Sequence, residues 1–215
     1  MGIWRGAHWI GDLITSLESC PLSKNRTEVG GNVLHTFFHP NSCCADYVDP
    51  IKRALHPLLL FTQSDPPIYQ NLLETPFHSS SVDFLNLCRR HDDTDLAQLA
   101  CQPSSAFLRL FHPRLPWYFD IYQVHPNGIT VGDILQQIHH QLHTQIRLRD
   151  FYNEALTDSE RAEIRRAFQS RCRNNQALIS KGALRIDYLG DKIVFEGLLR
   201  GHKGLWELKL SRERF

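Results

Sequence analysis

LRIDYLGDKIVFEGLL, residues 184–199, is the stretch on which the reading of the fold turns. Leu184, Ile186 and Tyr188 alternate with Arg185 and Asp187, and Ile193, Phe195 and Leu199 alternate beyond Gly190-Asp191. A period of two puts one set of side chains on a buried face and the other in solvent. A Gly-Asp pair between two such runs has the composition of a tight turn, so the spacing predicts a β-hairpin. After Gly201–Gly204 a further strand is expected over Leu205–Leu210, anchored by Trp206, which completes a three-stranded C-terminal meander.

Upstream of the hairpin the pattern changes to helical. Thr130 followed by Asp133, and Thr157 followed by Glu160, place a hydroxyl and a carboxylate three residues apart, the spacing of a capping box. Val131, Ile134, Leu135, Ile138 and Leu142 then share one helix face. The second helix is expected to bury Ile164, Ala167, Phe168 and Cys172 and to expose Arg161, Arg165, Arg166 and Arg173. Before these, LPWYFDIYQV at 115–124 reads as a strand with Trp117, Phe119 and Ile121 on one side and Tyr118, Asp120 and Tyr122 on the other. Shorter strands fit 68–72 and 106–111, and 76–105 reads as a surface excursion with one helical patch. Segregated helices beside a largely antiparallel sheet define an α+β domain over 51–215, covered by two amphipathic helices. Residues 1–50 read as an extension, a glycine-weakened helix (Ile3, Ala7, Ile10, Ile14, Leu17) followed by a loop.

Composition excludes several classes. With 42% hydrophobic and 22% charged residues and a net charge of +1, the chain has an ordinary globular make-up. Residues 1–145 carry 9 Lys and Arg against 13 Asp and Glu, whereas 146–215 carry 15 against 10. Acids are interleaved with those bases, so neither nucleic acid nor an anionic membrane is an expected partner. No apolar run approaches the roughly 20 residues needed to span a bilayer. MGIWRGAHWIGDL lacks the continuous apolar core of a secretory signal, and the six cysteines show no CxxC. Reduced thiols and a cytoplasmic or nuclear location are the expectation, with the protein not secreted.

Asp120 and Asp187 are carboxylates in mid-strand positions, where acids are depleted. With Tyr118 and Arg185 they would form a polar pocket on a sheet face, suited to a small ligand or to acid–base chemistry. The competing reading makes Arg185 and Asp187 a structural polar network on one strand face. His139 and His143 lie four apart on a helix, a two-imidazole spacing for a metal, but neither an intervening Glu nor a third ligand accompanies them. No phosphate loop, GxSxG frame or activated thiol is present, so no cofactor is expected.

The segments LHPLL near 55, LPWYFDI at 115–121, NGITVGDILQQIHHQLH at 127–143, RIDYLGDKIVFEGL at 185–198 and GLWELKL at 204–210 together resemble an uncharacterised fungal domain abundant in mushroom-forming fungi. The resemblance spans roughly 52–210 and rests on the R-[VI]-D-x-L and F-x-G-L strand signatures. It implies a fungal, intracellular, single-domain protein of unknown function, and carries over neither an activity nor site residues. Taken together, the sequence favours a non-catalytic interaction module that binds a protein partner or itself, including a homodimer through the N-terminal arm. The alternative is a ligand binder or enzyme using Tyr118, Asp120, Arg185 and Asp187.

Overall fold

The structure, a computed structural model, describes residues 52–63, 65–76, 81–201 and 204–213. The helix and arm expected within 1–50 lie outside the described residues. β1 (Ala54–Leu55) and β4 (Cys101–Gln102) form a two-stranded ribbon. β2 (Ile68–Asn71), β3 (Val82–Phe84), β5 (Phe107–Phe111), β6 (Phe119–Tyr122), β7 (Val194–Arg200) and β8 (Trp206–Ser211) form one open sheet in the order β3-β2-β7-β8-β5-β6. Neighbours run antiparallel except β5 and β8, which are parallel. The sheet is therefore mixed where an antiparallel one was expected. β6 already occupies one side of β5, and β8, delivered by the β7 hairpin, fills the other side in the same direction as β5.

Alternation within the strands sorts side chains as the sequence pattern requires. Leu108, Leu110, Phe119, Ile121, Trp206 and Leu208 are buried in one cluster. Their neighbours Arg109, Phe111, Asp120, Tyr122, Glu207 and Lys209 occupy the other face and are half-buried or exposed. α2 (Val131–Leu142) adds Ile134, Leu135, Ile138 and Leu142 to the same cluster, and α4 (Asp158–Cys172) adds Ile164. Both expected capping boxes form: the Thr130 and Thr157 hydroxyls accept from Asp133 N and Glu160 N, and the acids accept in return from Thr130 N and Thr157 N. Short helices α1 (Asp93–Leu96), α3 (Leu148–Phe151) and α5 (Gln176–Ser180) join these. Val82, expected in a helical patch, belongs to β3 instead.

α2 also closes the edge of the sheet. Gln137 accepts from Tyr122 N at 3.0 Å and donates to Tyr122 O at 2.7 Å, while Gln141 donates to Asp120 O at 2.9 Å. Two amides four residues apart thus stand in for a missing strand and satisfy groups that would otherwise invite another chain.

The expected hairpin over 184–199 is corrected. Only its second half is a strand; Arg185–Leu189 is a 3₁₀ helix, and the C-terminal hairpin is β7 with β8, a pair rather than a three-stranded meander. The physical reason is Asp187. Its Oδ2 accepts from Leu184 N at 2.8 Å, three residues back, a short-range bond that favours a turn over a ladder. Its carboxylate also receives Arg171 through Nε at 2.8 Å and Nη2 at 2.9 Å, and Arg171 Nη2 donates further to Gly182 O. The side chains are 9% and 2% exposed, so the pair is buried. It ties the end of α4 to the 3₁₀ turn. Removing one partner of a buried pair strands the other charge, which costs about 3–5 kcal/mol. Arg171→Met is expected to lower unfolding stability by that order in urea melts, whereas Arg171→Met combined with Asp187→Leu recovers most of the loss.

Candidate functional site

The outer face of the sheet is built from the second set of alternating residues. Across β5 and β6 the register sets Phe107 opposite Tyr122 and Arg109 opposite Asp120. Phe107 and Tyr122 pack with ring centroids 5.3 Å apart, yet remain 39% and 57% exposed, so their outer surfaces are open to contact. Arg109 donates to Asp120 through Nε at 2.6 Å and Nη2 at 2.8 Å. The same guanidinium lies over Phe107 at 5.7 Å and Tyr118 at 5.2 Å from the ring centroids. Tyr118 and Asp120 therefore do share a neighbourhood, but its centre is Arg109. Sequence reasoning passed over that residue. Its signal was present: an arginine and an aspartate at outward positions of two successive strands.

Arg185 and Asp187 do not form the network expected of one strand face. Asp187 is held by Arg171, as described above. Arg185 points the other way, with its guanidinium 4.8 Å from the centroid of Trp117. Trp117 in turn meets Tyr188 edge-on at 5.0 Å, and Tyr188 donates to Asp150 O at 2.7 Å. A 3₁₀ helix has three residues per turn, which places Arg185 and Tyr188 together against one indole. Burial, with a smaller contribution from Asp150, pushes the Tyr188 hydroxyl up to about 12, so it stays a neutral donor. Both acids of the candidate pocket, Asp120 and Asp187, are thus gripped by arginines from elsewhere in the fold.

His139 and His143 stack with ring centroids 4.0 Å apart, and His143 Nδ1 bonds to His139 O at 2.8 Å. Among the described residues no group of three metal-ligating side chains gathers around them. Burial, and then the neighbouring His143 and His140, depresses His139 to about 4. Cys101 and Cys172 are buried and Cys88 is exposed, all as free thiols. A small cleft of about 200 Å³ at the other corner of the sheet is lined by Tyr69, Asn71, Asp83, Ser211 and Arg212 among others. It falls short of the roughly 300–1,000 Å³ typical of small-molecule sites. No helix among the described residues is long and apolar enough to cross a membrane.

The fold and these pairings define an α+β domain in which Asp120 and Asp187 are each paired with an arginine. The family of unknown function DUF6699 matches residues 62–205, and the chain belongs to that family. No curated protein and no solved structure matches it.

Histidine burial makes stability pH-dependent. His112 is 8% exposed, and its Nδ1 accepts from Arg114 N at 3.2 Å, which requires that nitrogen to be unprotonated. Burial first, then Lys192, Arg114 and Lys209, depresses it to about 4 from an ordinary value of 6.5. A base whose folded value lies below its unfolded value stabilises the fold above the unfolded value. That stability is lost as pH falls from 6.5 towards 4. The loss is about 3 kcal/mol for His112 alone, and His139 acts in the same direction. Urea melts at pH 7.5, 5.5 and 4.5 are expected to show this decline. His112→Asn, whose Oδ1 can accept the same bond, is expected to make the decline shallower.

Proposed function

We propose that residues 51–215 form a non-catalytic interaction domain, carrying 1–50 as an extension, and that the domain binds a protein partner or a second copy through the outer face of its sheet. The observation that carries this reading is the exposure of Phe107 and Tyr122 beside the Arg109–Asp120 pair. Exposed aromatics next to arginine are the side chains that dominate protein interfaces, because they bury large areas at little entropic cost. Leu199, 37% exposed on β7, extends the apolar surface of the same face. The edge beside this surface is closed by Gln137 and Gln141, so a partner would meet side chains rather than add a strand.

An acid–base enzyme finds less support. General acid–base chemistry needs a carboxyl group within reach of a substrate proton. Asp187 is almost fully buried in its pair with Arg171, and Asp120 is doubly bonded by Arg109. A cytoplasmic or nuclear setting is consistent with the free thiols of Cys88, Cys101 and Cys172.

The reading is tested by placing a photo-crosslinking phenylalanine analogue at Tyr122, and at exposed Arg166 as a control, in the full chain. In extracts of the source organism, or in the purified protein at tens of micromolar, a discrete adduct is expected from position 122 and none from 166. Phe107→Ser is expected to reduce that adduct several-fold. Equal or absent adducts at both positions would sink the proposal.

A further inference from the structure

We infer that Arg185, with Arg147 beside it, is a receptor for a carboxylate presented by a partner peptide, seated against Trp117 and the α3 surface. This contact lies on the core-packed side of Trp117, away from Phe107 and Tyr122, and its use by a partner rests on the interaction reading.

Several arginines in this part of the fold already hold acceptors: Arg171 holds Asp187 and Gly182 O, Arg109 holds Asp120, and Arg114 holds Glu163, while Arg165 lies over the Phe151 ring at 5.4 Å. Among the described residues Arg185 makes no hydrogen bond or ion pair through its guanidinium. Its one close partner is the face of Trp117. A guanidinium over an indole face keeps its N–H groups available to a planar acceptor. The residue is half-buried, and burial lowers its proton affinity. It nevertheless remains charged, since arginine does not lose its proton in proteins. A half-buried cation fixed in this way, with its donors unused, costs desolvation that a carboxylate would offset.

Local charge selects the ligand. Beyond burial, Asp150 raises and Arg147 lowers the proton affinity of Arg185. Asp150 is partly committed, because its Oδ2 accepts from Arg147 N at 3.0 Å. Arg147 is exposed, and no acceptor among the described residues bonds its guanidinium. Two guanidiniums against one carboxylate leave a single positive charge in excess. One carboxylate neutralises that excess, which a phosphate dianion would overshoot. The surroundings point to a peptide. Leu148, which follows Arg147 and opens α3, and Tyr152, just past its end, are 78% and 65% exposed. An acidic side chain among apolar ones suits a guanidinium that lies on an indole near an exposed apolar helix.

The fold explains why the receptor exists. Arg185 reaches Trp117 because the 3₁₀ turn brings it onto the same side as Tyr188, and that turn is held by Asp187. Arg185 is accordingly a positioned binding residue rather than part of the core pair.

The test uses the full chain labelled with ¹⁵N and a panel of blocked heptapeptides. Each peptide carries one central Glu among apolar residues, and each has a Gln counterpart. The Arg185 Nε–Hε and Trp117 Nε1–Hε1 signals are expected to move with Glu peptides and stay still with Gln peptides. The Glu peptides should bind about tenfold more tightly, the difference expected of a charge-assisted bond. Arg185→Lys keeps the charge but loses the fork, and is expected to remove most of that preference. Arg147→Gln, on the surface, is expected to weaken Glu peptides several-fold while leaving the melting temperature unchanged. If Glu and Gln peptides act alike, or if inorganic phosphate moves both signals and Glu peptides do not, the carboxylate receptor is overturned. Peptide-induced shifts at Phe107 and Tyr122 without any at Arg185 would overturn it too, while leaving the interaction domain standing. Absence of peptide binding together with absence of adducts from position 122 would remove both.

Discussion

The buried pair of Arg171 and Asp187 is the constraint from which the C-terminal half of this domain takes its form. One carboxylate collects Arg171 twice and the Leu184 amide once, and the same guanidinium reaches Gly182 O. Those bonds fix the end of α4, the turn at Gly182 and the start of the 3₁₀ helix relative to one another. Ile186, Tyr188 and Leu189 then fall into the core beside α2 and α4. A buried pair of this kind is a poor source of net stability, since desolvation consumes most of its Coulomb energy. Its value lies in selection: any other backbone path over 184–189 would leave a charge without its partner.

The histidine-proline turns show the same economy at smaller scale. His56-Pro57 and His112-Pro113 adopt one geometry: the His carbonyl accepts from the amide three residues on, and the ring Nδ1 accepts from the amide two residues on. Proline fixes the turn, and the imidazole caps it as an Asn or Asp would. Burial depresses both rings, so the cap is neutral and the turn carries no charge into the interior. Four His-Pro dipeptides in one chain look like a metal or catalytic signature in a residue count. In the two turns that share this geometry they are backbone chemistry.

Much of the candidate site was within reach of the sequence, and the part that was not has a definite cause. The alternation of 115–124 puts Tyr118 and Asp120 on the outward face, where they lie, and aligning two successive strands adds Arg109. Leu184, Ile186 and Tyr188 satisfy a period of two, which by sequence makes Asp187 an outward strand residue. Leu189 is buried as well, which a strand of that phase does not allow and a 3₁₀ turn does. The residue that decides the matter is Arg171, in the preceding helix, and no local pattern connects the two.

What the sequence determined by itself is what acts over three or four residues. The capping boxes at Thr130 and Thr157, the apolar stripe of α2 and the alternation of β5, β6 and β8 follow from bonds and side-chain directions internal to each segment. Those elements, sorted along the chain, were enough to give the α+β class. Tertiary structure alone decided the rest: the parallel meeting of β5 and β8, the amides of α2 lying along the edge of β6, and the choice of Arg171 over Arg185 as partner to Asp187. Each depends on which groups are left unpaired once the sheet and helices pack. The stretch 184–199 holds both kinds of information. Its second half is a strand on its own terms, and its first half is a turn because a carboxylate there meets a guanidinium 16 positions earlier in the chain.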